Sequence, residues 1–197
     1  RWIASKAKSS PAAAPACFKV AEEFIIFWAT TVTNQFRETV GTGDDKYNHR
    51  IYCVTTKDFK TYTPAKLFYE PGFNVIDATI LPANGRFYLI VKDETRNPTK
   101  KHLRIASSDD IAGPYTNLSA PFTRDWVEGP SALQVGGEFL VYFDAYRDRR
   151  YEAMRSADLK NWQDVTSKMA FPKPMSHGTA IAVDKKFVDE LLNRTSK

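Results

Sequence analysis

Hydrophobic and polar positions alternate in short runs along most of the chain, a pattern typical of β-strands. The clearest runs come in pairs, "ATILPANGRFYLIVKD" (78–93) and "SALQVGGEFLVYFDAY" (131–146). Asn-Gly and Gly-Gly at their centres are residues that close tight hairpins. A third pair, "FKVAEEFIIFWATTV" (18–32), has weaker turn chemistry. The pattern therefore predicts three β-hairpins.

A second pattern follows each hairpin at a regular distance: Ser or Thr, then Asp, then an aromatic residue. It occurs in "TTKDFKTY" (55–62), "SSDDIAGPY" (107–115) and "RSADLKNW" (155–162). Taking Asp58, Asp109 and Asp158 as marks, the spacing is 51 and then 49 residues. Ser and Asp side chains hold tight turns by bonding nearby backbone amides. We expect the aromatics that follow to pack between sheets: Tyr62, Tyr115 and Trp162.

A repeat of about 50 residues with four short strands is typical of a β-propeller blade. A β-sandwich with similar hairpins is the alternative, but the repeated order of elements favours the propeller. The 197 residues provide about three full blades and part of a fourth, "SHGTAIAVDKKFVDELL" (176–192). We therefore predict an all-β, incomplete propeller at 13–192. Residues 1–12 and 193–197 would be tails, and a short helix would end the chain.

The composition limits the classes of function that we expect for this protein. Hydrophobic residues make up 43% and charged residues 26%, which supports a packed core, and the 13% of aromatics favours β structure or a carbohydrate-facing surface. The net charge of +5 is dispersed, so we expect no nucleic-acid partner. No apolar run is long enough to span a bilayer, so we expect no membrane partner.

Cellular location follows from weaker signals. Cys17 and Cys53 could form one bridge or remain two free thiols. Two glycosylation triplets, at Asn117 and Asn193, favour a secreted or periplasmic protein. No secretory signal is visible, but the chain starts at Arg1, so a natural start could precede it.

Candidate site residues stand where the inner strand of each unit begins. In a propeller these strand starts share one face, so their side chains converge on one pocket. The residues are Asp77 in "VIDATIL", Glu128 in "VEGPSAL" and His177 in "SHGTAI", with 14–17, "APAC", in the first unit. Two carboxylates and an imidazole at matching positions predict a shared site.

These motifs carry a resemblance. "NVIDATI", "WVEGPSAL", "RSADLKNW" and "HGT" resemble glycoside hydrolase family 43, five-bladed propellers that act on arabinose- and xylose-containing glycans with inversion. The resemblance implies that Glu128 is the general acid and that Asp77 positions it and raises its pKa. It also implies that His177 lies near a water or a structural calcium or sodium ion. No organic cofactor is required.

The chemistry is consistent with these roles but incomplete. A general acid must keep its proton near neutral pH, and a neighbouring anion such as Asp77 favours this. An inverting enzyme also needs a second carboxylate, the base, across the pocket. Residues 1–21 contain no Asp or Glu, and Ala16 stands where family members often have Glu. We expect the base from sequence outside this chain.

The second strand of each unit should end at the rim of the same pocket. This predicts substrate-binding roles for Trp28, Lys92 and Asp144, together with His177; Asp93 and Tyr146 also lie at these strand ends. Two alternatives stay open: Trp28 could be core, and Asp144 could pair with Arg147 or Arg149. We expect His49 and His102 on the surface.

The resemblance thus implies an inverting glycosidase for plant cell-wall arabinan, arabinoxylan or xylan, with galactan as a further substrate. The alternative is a non-catalytic carbohydrate-binding propeller that lacks the base. A protein-interaction propeller is a third reading, but it has no use for paired carboxylates in the channel. The open sheet edges of an incomplete ring also predict self-association.

Overall fold

The computed structural model describes residues 16–44, 47–172 and 175–195. The predicted tail 1–12 and residues 14 and 15 of the first unit lie outside this part. Eleven strands form three antiparallel sheets. Their bounds are β1 Ala16–Val20, β2 Glu23–Thr31, β3 His49–Thr56, β4 Lys66–Tyr69, β5 Val75–Ala83, β6 Arg86–Asp93, β7 His102–Ser108, β8 Glu128–Val135, β9 Glu138–Ala145, β10 Arg150–Ser156 and β11 Gln163–Asp164.

Each sheet is a meander in chain order. Sheet 1 is β1-β2-β3-β4, sheet 2 is β5-β6-β7 and sheet 3 is β8-β9-β10-β11. The three predicted hairpins are β1-β2, β5-β6 and β8-β9. Asn84 and Gly85 have φ of +51° and +72°, and Gly136 and Gly137 have +58° and +85°. Both turns therefore have the positive φ angles that two-residue hairpins require.

Most of the core lies in two layers between the sheets, and a smaller third cluster forms around Leu140, Ala153 and Val165. Between sheets 1 and 2, Phe27 and Ile51 pack with Leu89 and Val91. Between sheets 2 and 3, Ile90 and Leu103 pack with Phe139, Val141 and Phe143. Neighbouring residues of β6 thus point to opposite layers, as strand geometry requires. Sheet 2 is covered on both faces, which is the packing of adjacent propeller blades.

The Ser-x-Asp turns recur, with one correction to their register. Ser156 Oγ accepts hydrogen bonds from the backbone of Asp158 and Leu159, and Asp158 Oδ1 accepts them from Lys160 and Asn161. Thr56 and Asp58 repeat this pattern. In the second unit the matching acid is Asp110, which bonds Ala112, and not Asp109, which pairs with Arg86.

Two of the three aromatics after these turns pack between sheets as predicted. Tyr115 is buried, 5.5 Å from Phe68 in an edge contact, and Trp162 stacks on Phe122 at 4.5 Å. The prediction is wrong for Tyr62, which is 46% exposed. Its hydroxyl donates to Phe59 O within its own turn.

In the fourth unit, the segment at the place of an inner strand is not paired in a sheet. Within 175–195 the structure has no β-strand, and helix α1 spans Lys185–Thr195, which confirms the predicted terminal helix. Phe187, Leu191 and Leu192 on this helix are between 47% and 61% exposed. No helix of the described residues has the length and apolar character to cross a membrane.

Candidate active site

Two β-bulges shape the site. Ile76 lies opposite Lys92 and Thr79 opposite Ile90, so Asp77 and one neighbour face a single residue of β6. Sheet 3 has the same irregularity between Glu128 and Ser131. Such a bulge bends its strand and re-aims the side chains beside it.

The positions of the bulges show that the predicted alignment of the units has to be shifted. Asp77, Gly129 and His177 have φ of +51°, +57° and +46°. Asp77 and Gly129 each occupy the first bulge position, so the structural counterpart of Asp77 is Gly129, and Glu128 corresponds to Ile76. The expectation that Asp77 and Glu128 stand at equivalent positions is wrong by one residue.

The two carboxylates and the imidazole nevertheless come together. Asp77, Glu128 and His177 each place one oxygen or nitrogen within 4.8 Å of the others. Glu128 Oε1 is 3.1 Å from His177 Nε2. The backbone N–H of Gly129 donates to Asp77 Oδ2 at 3.0 Å, so Asp77 fixes the bulge beside Glu128.

The immediate surroundings of Gly129 explain why this position is a glycine. A Cβ at this position would lie 3.1 Å from the His177 ring, and its φ is in the left-handed region. A glycine on a strand lets another group approach the backbone closely. In the structure it is the His177 imidazole that approaches its backbone.

Hydrogen bonds to sheet 3 hold the segment that carries His177. Ser176 Oγ donates to Asp144 Oδ2 at 2.8 Å, and Tyr151 donates to Gly178 O at 2.8 Å. The Ala180 N–H donates to Ser131 Oγ at 2.9 Å. Side chains of β8, β9 and β10 therefore position the imidazole without a strand ladder.

Lys92 is part of the site's ionic structure. It is 1% exposed, and its Nζ donates to Glu128 Oε2 at 3.0 Å and lies 2.7 Å from Glu94 Oε2. Glu94 also binds Lys101, whose ammonium reaches Asp44 at 2.6 Å. A buried chain of alternating charges thus runs away from the pocket. Since both carboxylates hold the ammonium, Lys92 is oriented toward Glu128 before any sugar binds.

These contacts decide the protonation of Glu128. Burial raises the pKa of this carboxyl, but the hydrogen bonds and charges of His177 and Lys92 outweigh burial and lower its pKa to about 2. The hydrogen bond to Glu128 raises the pKa of His177. Burial raises the pKa of Asp77 against the opposing bond from Gly129. Glu128 therefore has a lowered pKa and not the raised pKa expected beside Asp77, because two cationic groups contact Glu128 directly.

A structural calcium or sodium ion does not fit this cluster as it stands. Both oxygens of Glu128 are already engaged, by His177 and by Lys92. Calcium prefers six to eight oxygen ligands, whereas here the third donor is an imidazole nitrogen. A lysine ammonium bound to the same carboxylate would also repel the ion.

The remaining residues predicted at the rim differ in whether they face the pocket. Asp144 lies opposite Glu128 and bonds Ser176, not Arg147 or Arg149. Tyr146 contacts Lys92, with the ammonium 5.0 Å from the ring centroid. Asp93 points away from the pocket, toward the buried His102, which bonds Asp125 and is not a surface residue.

Trp28 is not joined to the site. It is half-buried on β2 opposite Tyr52, and among the described residues no hydrogen bond or ring contact links it to the Asp77–Glu128–His177 cluster. His49 is partly buried, with its ring 5.1 Å from that of Tyr47. Sequence reasoning missed Glu94 and also Trp126, whose ring meets that of Tyr146 edge to face at 6.4 Å. Glu94 had a signal, since it follows "VKD" at a strand end, whereas the orientation of Trp126 depends on backbone that the pattern does not reveal.

Comparison with known proteins agrees with the fold. Residues 5–189 match the sequence model of a family described as a probable glycosyl hydrolase domain, related to family 43. No curated protein matches the chain by sequence.

Solved structures of glycoside hydrolases share the architecture at low identity. A thermostable family-43 glycoside hydrolase superposes with a TM-score of 0.64 at 15% identity, covering 85% of this chain and 60% of its own. An α-L-arabinofuranosidase from Lactobacillus brevis gives 0.58 at 18%, covering 77% and 53%. A β-xylosidase gives 0.59 at 15%, covering 77% and 57%. The chain thus spans about half the length of the structures it resembles.

Proposed function

The chain belongs to this glycosyl hydrolase family, and we propose that it acts on arabinose- or xylose-containing glycans and cleaves them with inversion. The observation that carries the proposal is the convergence of Asp77, Glu128 and His177 within 4.8 Å at one end of two adjacent sheets. The arabinofuranosidase and xylosidase among the similar structures support the sugar class.

Glu128 is the proposed general acid, and His177 supplies its proton. In the free site the carboxylate is ionised and bonded to His177. A sugar that takes over this hydrogen bond removes a major cause of the low pKa of Glu128. Glu128 takes up a proton as its pKa rises, with His177 Nε2 as the nearest donor, and then transfers it to the glycosidic oxygen.

Asp77 and Lys92 are proposed as positioning residues. Asp77 holds the Gly129 amide, so it fixes the backbone from which Glu128 projects. Lys92 holds the second oxygen of Glu128. The attacking water requires a base roughly 6.5–9.5 Å from the acid, and we propose that sequence outside this chain contributes it.

Aryl glycosides test the proposal. Joined to the sequence that supplies the base, the chain should release nitrophenol from nitrophenyl arabinofuranoside or xyloside, and Glu128→Gln should abolish this. Glu128→Gln should be much less harmful with a dinitrophenyl leaving group, which departs without protonation. Glu138→Gln, a surface carboxylate paired with Arg155, is the matched control. Equal background from all three proteins would contradict the proposal.

Inversion has a separate readout. Proton NMR of the first product formed should show the anomer opposite to that of the substrate. A first product with retained configuration would contradict this part while leaving the glycosidase assignment intact.

A non-catalytic carbohydrate-binding module is the second candidate. The observation that favours it is the engagement of both Glu128 oxygens by cationic side chains. This candidate predicts thermal stabilisation by oligosaccharides, alike in the wild type and in Glu128→Gln, with no turnover in either.

The proposed substrate also suggests a location. Plant polysaccharides are degraded outside the cell, so we propose that the protein is secreted or periplasmic. Asn117, in one of the two glycosylation triplets, is exposed and has a φ of +54°.

A further inference from the structure

Three residues form a continuous surface beside the acid, which we call the rim surface: Trp126, Tyr146 and Arg147. Trp126 is two positions before Glu128, and Tyr146 is two positions after Asp144, the cross-strand partner of Glu128. Both aromatics therefore extend from the end of the β8-β9 pair that carries the proposed acid.

The rim surface is in contact with the site. Lys92 Nζ lies 5.0 Å from the centroid of the Tyr146 ring and 3.0 Å from Glu128 Oε2. Tyr146 in turn meets Trp126 edge to face, with centroids 6.4 Å apart and planes at 74°. A glycan with its scissile oxygen at Glu128 would thus meet Tyr146 and then Trp126.

The backbone holds Trp126 in an unfavourable conformation. Its φ is +66°, which is rare for a bulky residue and persists only when neighbouring contacts enforce it. The neighbours on both sides are tied to sheet 2: Asp125 bonds the His102 ring at 2.9 Å, and the Val127 N–H donates to Lys101 O at 3.1 Å. The indole remains half-exposed at the rim.

Arg147 gives this surface a charge. Its guanidinium carbon is 3.0 Å from the centroid of the Trp126 ring, and the side chain is exposed. The nearby Asp148 is engaged by Arg124 at 2.5 Å and by Arg150 at 3.9 Å. Within the part of the chain that the structure describes, no carboxylate forms an ion pair with Arg147. A guanidinium stacked on an aromatic ring keeps its planar fork available for a carboxylate.

We propose that the rim surface binds the sugar on the leaving-group side of the scissile bond and that this sugar carries a carboxylate, as a uronic acid does. The indole and the Tyr146 ring contact the apolar face of the sugar, and Arg147 binds its carboxylate. This inference rests on the proposed function only in requiring that glycans bind at Glu128, and it needs no turnover.

Calorimetric titration of the chain tests the proposal with two probes. One is a xylo-oligosaccharide with a single glucuronic acid branch, and the other is the unbranched neutral oligosaccharide of the same backbone length. The acidic probe should bind roughly fivefold more tightly at low salt, the size expected of one partly exposed ion pair, and high salt should reduce this preference.

Two arginine variants separate a specific contact from general charge. Arg147→Gln should abolish the preference for the acidic probe, whereas Arg149→Gln, which removes an exposed arginine of the same turn, should retain it. Trp126→Ala should weaken both probes. Equal affinities in the wild type, or a preference that survives Arg147→Gln, would overturn the proposal. A preference without turnover would keep this inference while removing catalysis.

Discussion

The ammonium of Lys92 lies 3.0 Å from Glu128 Oε2 and joins the second strand of one sheet to the first strand of the next. Lys92 is 1% exposed, and its other partner, Glu94, is also largely buried. Burial lowers the pKa of this lysine, but the two carboxylates raise it above its ordinary value. The pair therefore remains charged and links the site to the packing of sheets 2 and 3.

Replacing Lys92 should destabilise the protein strongly. Lys92→Met removes the cation that two partly buried carboxylates share and leaves them only Lys101 and His177, which costs about 3 kcal/mol. The free energy of unfolding from urea denaturation measures the effect. Lys57→Met, which removes an exposed pair with Glu23, should change it by less than about 1 kcal/mol. A loss for Lys92→Met as small as that of the control would show that the buried pair has little role in stability.

Removing the imidazole should change the titration of Glu128. The low pKa of about 2 depends on the hydrogen bond from His177 as well as on Lys92. His177→Ala should therefore raise the pKa of Glu128 toward 4.5, its ordinary value. Carbon-13 NMR of the side-chain carboxyls can follow this, with the resonance assigned from the spectrum of Glu128→Gln. An unchanged titration would mean that Lys92 alone sets the pKa.

Stability should depend on pH through the same carboxylate. The pKa of Glu128 is lower in the folded state than in the unfolded state, so its contribution is present above pH 4.5 and is lost as pH falls toward 2. The difference in unfolding free energy between wild type and Glu128→Gln should shrink by up to about 3 kcal/mol between pH 5 and pH 2. Glu138→Gln should show no comparable change, and a constant difference for Glu128→Gln would contradict the ion-pair account.

Gly129 and Gly136 provide a matched pair for testing the bulge. Their φ angles are +57° and +58°, so alanine meets the same backbone strain at both. A Cβ at Gly129 would press on the His177 ring at 3.1 Å, whereas nothing lies within 4 Å at Gly136. Gly136→Ala should cost about 1 to 2 kcal/mol and Gly129→Ala clearly more. Equal losses in urea denaturation would show that His177 does not pack on Gly129 in solution.

Self-association is expected through helix α1. Phe187, Leu191 and Leu192 expose apolar surface on this helix. Sedimentation velocity should show concentration-dependent association that Leu191→Glu reduces, while Glu190→Gln, at an exposed polar position of the same helix, leaves it unchanged. A monomer at all concentrations would contradict this prediction.

Much of the architecture was predictable because its signals are local. Asn84-Gly85 and Gly136-Gly137 specify tight turns by themselves, and alternation around them specifies the strands. The one-residue offset between Asp77 and Glu128 was not predictable in this way. A bulge adds one residue to a strand, but the apolar run continues through it. The alternating pattern in the sequence therefore does not reveal the extra residue.

The sequence predicted where the candidate site lies better than it predicted the charges and contacts of its residues. Asp77, Glu128 and His177 were expected together and lie together. Lys92 was expected to bind sugar because it stands at the end of a second strand, which should lie at the rim of the pocket. Its burial depends on two carboxylates, one of them in another sheet, and single-sequence patterns do not report such distant pairing.

A residue with left-handed backbone stands at the start of the inner segment in the second, third and fourth units. Asp77, Gly129 and His177 share nearly the same backbone angle, yet they supply an anchor for an amide, room for a ring and a source of protons. The backbone angle is thus shared by the units, whereas the chemical role of the side chain differs from one unit to the next. In such an architecture, neighbouring units can differ in chemistry while their backbones follow the same path.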